Sequence, residues 1–109
     1  MKIIINKKYL SDHPERFMIR QASFVHIHSY HTGQDSYVRC LTRDDYPRFH
    51  IYIKEEGERT IFDLHLDQKQ VSYKGSHAHS AEYEGEVVQR EINRIKSIIL
   101  KNVPTNVNK

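Results

Sequence analysis

The sequence predicts an α+β fold: an antiparallel sheet of about four strands, a C-terminal helix packed on one face, and a short helix near the N-terminus. Three observations carry that expectation. The run FHIYIKEEGERTIFDLHLD alternates apolar and polar residues on both sides of a turn at Gly57, which is the pattern of a half-buried hairpin. A second pair of alternating runs lies upstream, between Ala22 and Thr42. Downstream, Val88, Ile92, Ile95 and Ile99 recur at helical spacing.

Taken in order, Ile3, Ile4 and Ile5 are β-branched and suit a short strand or buried arm, but an unbroken apolar run does not indicate its partner. Ser11 or Asp12 can cap a helix that Pro14 opens and Glu15 favours at its positive end; it runs to about Gln21, with Phe17 and Met18 inward. The next strand places Val25 and Ile27 opposite Phe24, His26, His28 and Tyr30. After turn residues around Gly33, the following strand opposes Val38 and Cys40 to Tyr37, Arg39, Leu41 and Arg43. The connection Asp44 to Pro47 leads into the Gly57 hairpin, where Phe49, Ile51, Ile53, Phe62, Leu64 and Leu66 share one face. A two-residue turn at Gly57-Glu58 sets His50 opposite His65, whereas a four-residue turn sets His50 opposite Asp63 and Arg48 opposite His65. Residues 68 to 83 lack periodicity and are read as a loop, and the last helix is expected from Glu84 or Gly85 to about Lys101. A single domain over residues 1 to 103 and a flexible tail over 104 to 109 follow.

Composition narrows the class. An apolar fraction of 38% with 28% charged residues belongs to a globular chain, and no apolar run approaches the roughly 18 residues a membrane span needs. No membrane partner and a cytoplasmic location are therefore expected. One cysteine, Cys40, excludes an internal disulfide and a thiolate zinc site, so any metal requires imidazole and carboxylate ligands. The net charge of +3, with eight histidines left neutral, tilts toward polyanionic partners.

Putting the two hairpins side by side gathers Val25, Ile27, Val38, Cys40 and the apolar residues of the Gly57 hairpin against the last helix. Histidines, arginines and tyrosines then collect on the other face. His77 and His79, spaced i, i+2, can meet one divalent ion such as zinc, with His65, Asp67 or Glu82 completing the set. His65, His77 and His79 could also exchange protons at a phosphodiester, making the domain a hydrolase. A non-catalytic nucleic-acid-binding module would instead use Arg39, Arg43, Arg48, Tyr37, Tyr52 and Lys69. A third alternative is a homodimer whose contact is the polar face.

Three short resemblances bear on these alternatives. The order Gly75-Ser76-His77-Ala78-His79-Ser80-Ala81-Glu82 resembles part of the first cupin motif, but the glutamate comes one residue early and a helix follows where barrel strands are required. His26-Ile27-His28 resembles the His-hydrophobic-His triplet with which rolling-circle replication and relaxase endonucleases hold a cation; those families carry a nucleophilic tyrosine on a nearby helix, whereas Tyr30 is read on a strand and Tyr83 in a loop or helix start. The stretches YPRFHIYI and LHLDQKQVSYKGSHAHSAEYEGEVVQREINRI look similar to a group of small uncharacterised bacterial proteins. That likeness covers most of residues 46 to 95 and implies a stand-alone domain without implying an activity.

Overall fold

A computed structural model describes residues 1–68 and 80–104, with the side chains of residues 80–84 outside the described set. Strands β1 (Lys2–Asn6), β2 (Val25–His28), β3 (Asp35–Cys40), β4 (Arg48–Glu56) and β5 (Arg59–Asp67) form one antiparallel sheet in the order β1-β5-β4-β3-β2. A short helix α1 (Pro14–Arg16) runs directly into a π turn at Phe17–Gln21, and α2 spans Ser80–Lys101. The fold class is as expected, with five strands in place of about four. The extra one is the isoleucine run, which pairs with β5 so that Ile3 lies opposite Phe62 and Ile5 opposite Thr60.

The Gly57 hairpin adopts the two-residue turn: Glu56 pairs with Arg59, and His50 with His65. Gly57 has φ +60°, which a residue without Cβ adopts freely. With that register, Phe49, Ile51, Phe62 and Leu64 are all fully buried on one face. Val88, Ile92, Ile95 and Ile99 of α2 cover them, and Phe17 and Met18 of the π turn fill the remaining side, the Phe17 ring 6.3 Å from that of Phe62. Each such buried side chain contributes about 1.5–3 kcal/mol, so the two helices on one sheet face are the main source of stability. α2 begins at Ser80, earlier than the sequence suggests; Ala81, Glu82 and Glu84 are good helix formers, and acids suit a first turn.

The sidedness of β2 and β3 is the reverse of the expectation. Tyr37 pairs with Ile51 and Arg39 with Phe49, so these two lie on the helix-covered face. Val38 and Cys40 pair with His50 and Arg48, and Val25 and Ile27 pair with Val38 and Ser36; all lie on the opposite, open face. The cause is in α2. Glu91 falls within the helix's apolar stripe, is 2% exposed, and receives Arg39 Nε at 3.0 Å and Arg39 Nη2 at 2.6 Å. Arg94 also donates to both carboxylate oxygens and reaches the Ala22 carbonyl at 2.6 Å. Arg39 lies 5.3 Å from the centre of the Phe49 ring, so its stem and guanidinium complete the core. Phe24, expected on the polar side, is buried in the same core.

Candidate functional site

The sheet face turned away from both helices carries the densest set of polar rings and cations. Its positions are set by the register of β4 and β5 and the alternation of each strand. One cross-strand row runs Val25, Val38, His50, His65; the next includes Cys40, Arg48 and Asp67; a third brings Tyr52 opposite Asp63, with Lys2 beyond.

Within this face the side chains form a connected series. Asp67 accepts a hydrogen bond from His50 Nδ1 at 2.8 Å, and Arg48 Nε lies 3.7 Å from the same oxygen. His65 Nε2 lies 3.3 Å from Asp63. Tyr52 sits beside both imidazoles, its ring centre 4.7 Å from that of His50 and 6.2 Å from that of His65. The guanidinium of Arg48 stacks over Tyr46 at 4.6 Å. The carboxylates thus fix ring orientation, and the face presents planar groups beside cationic ones. Two depressions share Tyr52 and Gln34 in their walls. The first, of ≈ 290 Å³, adds Arg48, His50 and Ser36; the second, of ≈ 560 Å³, adds Lys2, Asp63 and His65.

His50 with Asp67 has the arrangement of an oriented imidazole, the carboxylate on Nδ1 fixing which nitrogen stays free. The free Nε2, however, is shielded from solvent and has no hydrogen-bond partner among the described residues. A reacting atom has no approach to it, so the pair holds the ring in place and does not offer an exposed base.

The residues singled out from sequence divide as follows. Arg48, Tyr52, His65 and Asp67 share the open face, although Asp67 holds His50 and not His65. Arg43 is exposed in the connection ahead of β4. Arg39 and Tyr37 do not join them: Arg39 is tied to Glu91, and Tyr37 is buried on the covered face, where loss of solvent, followed by the charges of Glu15 and Asp35, raises its hydroxyl above the ordinary value. Lys69, His77 and His79 lie outside the described residues, as does the side chain of Glu82. Among the described residues no group of three His, Cys, Asp or Glu is placed to hold a metal ion. Sequence reasoning left His50 out of the site; the signal was present in the shorter of the two turns, which puts His50 diagonal to Asp67.

The triplet His26-Ile27-His28 forms a separate cluster on β2. His26 Nε2 and His28 Nδ1 approach the same oxygen of Asp35, at 2.9 and 2.7 Å. Hydrogen bonds from His28 and His26 hold the Asp35 carboxyl below its ordinary value. Both ring nitrogens that converge there are thereby engaged by one carboxylate oxygen. No family model, no curated protein and no solved structure matches the chain.

Proposed function

We propose that the open sheet face binds single-stranded nucleic acid without catalysis. The observation that carries this reading is Tyr52 beside His50 and His65, with the Tyr46–Arg48 stack adjoining, on a face that neither helix covers. Every base has a π face, so a row of tyrosine and imidazole rings can receive bases with little regard to sequence. Arg48, together with Lys2 and Lys54 along the second depression, supplies charge for the backbone phosphates. Asp63 and Asp67 lower the positive potential of the face, which makes stacking the larger contribution and the charge the smaller.

Fluorescence anisotropy of a labelled single-stranded oligonucleotide of about 12 nucleotides, titrated at several salt concentrations, tests this, the length being that of a typical single-domain footprint. Affinity should fall as salt rises, and Tyr52→Ala should weaken it by about 5- to 150-fold, from stacking worth about 1–3 kcal/mol per base. Equal affinity in the wild type and Tyr52→Ala removes the proposal. Recovery of shortened oligonucleotide from the titration would refute binding without chemistry and favour hydrolysis.

A further inference from the structure

We infer that β1 is a dimerisation edge at which two copies of this chain join their sheets into one of ten strands. β1 lies at one end of the strand order, so among the described residues its outer side has no neighbour in the sheet. The Leu64 N–H donates to the Met1 carbonyl at 2.7 Å and the Lys7 N–H to the Glu58 carbonyl at 2.8 Å, marking both ends of the β1–β5 pairing. In an antiparallel ladder, main-chain groups turn alternately toward and away from the neighbour. Met1, Ile3, Ile5 and Lys7 therefore face β5; Lys2 and Ile4 direct both N–H and C=O outward, and Asn6 its N–H, the Asn6 C=O being the first acceptor of the 3-10 turn Lys7–Tyr9.

That outward set is complementary to itself. A two-fold axis through Ile4, perpendicular to the sheet, places Ile4 of one copy against Ile4 of the other, exchanging two hydrogen bonds, and Lys2 against Asn6, whose N–H can donate to the Lys2 C=O. The same register sets Met1 opposite Lys7, and each of these cations already has a carboxylate beside it, the Met1 α-ammonium 3.7 Å from Asp63 and Lys7 Nζ 3.1 Å from Glu55. Edge strands usually carry a proline, a bulge or several charges that prevent such pairing; β1 has Lys2 alone.

Side chains on both faces extend the seam. On the open face Ile4 is 54% exposed. On the covered face an apolar groove of ≈ 220 Å³ lies along β1, walled by Ile3, Ile5, Lys96, Ile99 and Leu100, and Leu100 beside it is 75% exposed. A stable dimer needs about 800 Å² from each partner, so the seam has to continue from the strand onto the helix ends. The perpendicular axis keeps both α2 helices in one layer and brings Leu100 of each copy to the groove of the other. At the opposite edge, β2 also exposes a valine, Val25, but it is a shorter strand of four residues that carries two histidines beside Asp35.

Light scattering on a sizing column, over a dilution series starting at about 100 μM, gives the mass and spans micromolar dissociation constants. The expected result is twice the chain mass for wild type and for Val25→Lys, and the single-chain mass for Ile4→Lys and for Leu100→Glu, with circular dichroism spectra unchanged. Should Ile4→Lys fail to fold, Leu100→Glu, at an exposed helix position, decides. A wild type monomeric throughout, a dimer that survives these substitutions, or one broken instead by Val25→Lys overturns the inference.

Discussion

Replacing Glu91 by glutamine puts the link between helix and sheet under direct strain. Each carboxylate oxygen accepts two guanidinium donors: Oε1 from Arg39 Nη2 and Arg94 Nε, Oε2 from Arg39 Nε and Arg94 Nη2. Glu91→Gln removes the charge, loses two of those four bonds and turns an amide donor toward two donors. Breaking one partner of a buried ion pair costs about 3–5 kcal/mol, and Arg39 and Arg94, at 28% and 33% exposed, can regain some water, which points to the lower end. A loss of about 3 kcal/mol should lower the unfolding midpoint by roughly 10–20 °C in a domain of this size. The comparison is Glu86→Gln, whose Arg90 partner and carboxylate are both largely exposed and whose loss should cost no more than about 0.5 kcal/mol. Burial by itself would raise the Glu91 carboxyl, but hydrogen bonds from Arg94 and Arg39 outweigh it, and the group titrates below its ordinary 4.5. The stabilisation is therefore present above about pH 4.5 and disappears as pH falls through the lower folded value, so the gap between wild type and Glu91→Gln should close on acidification. Urea unfolding of both proteins across pH 3–7 measures it. A gap under about 1 kcal/mol at neutral pH, or one that stays constant into acid, would refute the assignment of Glu91 as the charged link.

Other consequences are narrower. Gly57→Ala should cost about 1–2 kcal/mol in urea unfolding, entirely from the backbone, because φ is +60° and, beyond its chain neighbours, no atom of the described residues lies within 4 Å of an added Cβ. His28→Ala should raise the Asp35 titration back toward 3.8, read by carboxyl carbon NMR, since His28 makes the largest contribution to lowering it. Arg48→Ala should reduce the dependence of log affinity for the oligonucleotide on log salt by about one phosphate contact, whereas Arg39→Ala, on the covered face, should leave that slope unchanged.

Where pattern and pairing point to the same answer, the fold was legible. The Gly57 hairpin has long alternation on both strands and a glycine at the one position that demands positive φ, and the stripe from Val88 to Ile99 matches the buried side of α2. β1 was not legible as a paired strand because three consecutive isoleucines offer no alternation; only its register with β5 separates Ile3, buried, from Ile4, exposed. The candidate site was half legible: Arg48, Tyr52, His65 and Asp67 follow from a hairpin whose register is tightly specified, and His50 becomes visible once the turn is known to have two residues.

The inversion of β2 and β3 shows what alternation alone leaves open. It says that Val38 and Arg39 face opposite ways, and ordinary hydrophobicity then favours Val38 as the core residue. The connection from Leu41 to Pro47 is long enough to deliver either face to β4, so local pattern does not correct the choice. A different part of the chain does. Glu91 sits in phase with Val88, Ile92 and Ile95; Arg94 on the same helix meets both of its oxygens, and the second lone pair on each is satisfied by a further cation on the surface the helix packs against. β4 and β5 present apolar side chains there, leaving β3, where only the phase that turns Arg39 inward supplies one. The same phase sends Tyr37 into the core and withdraws it, with Arg39, from the open face. What remains on that face is a narrower surface centred on Tyr52, and its composition follows from a single glutamate on a helix at the other side of the sheet.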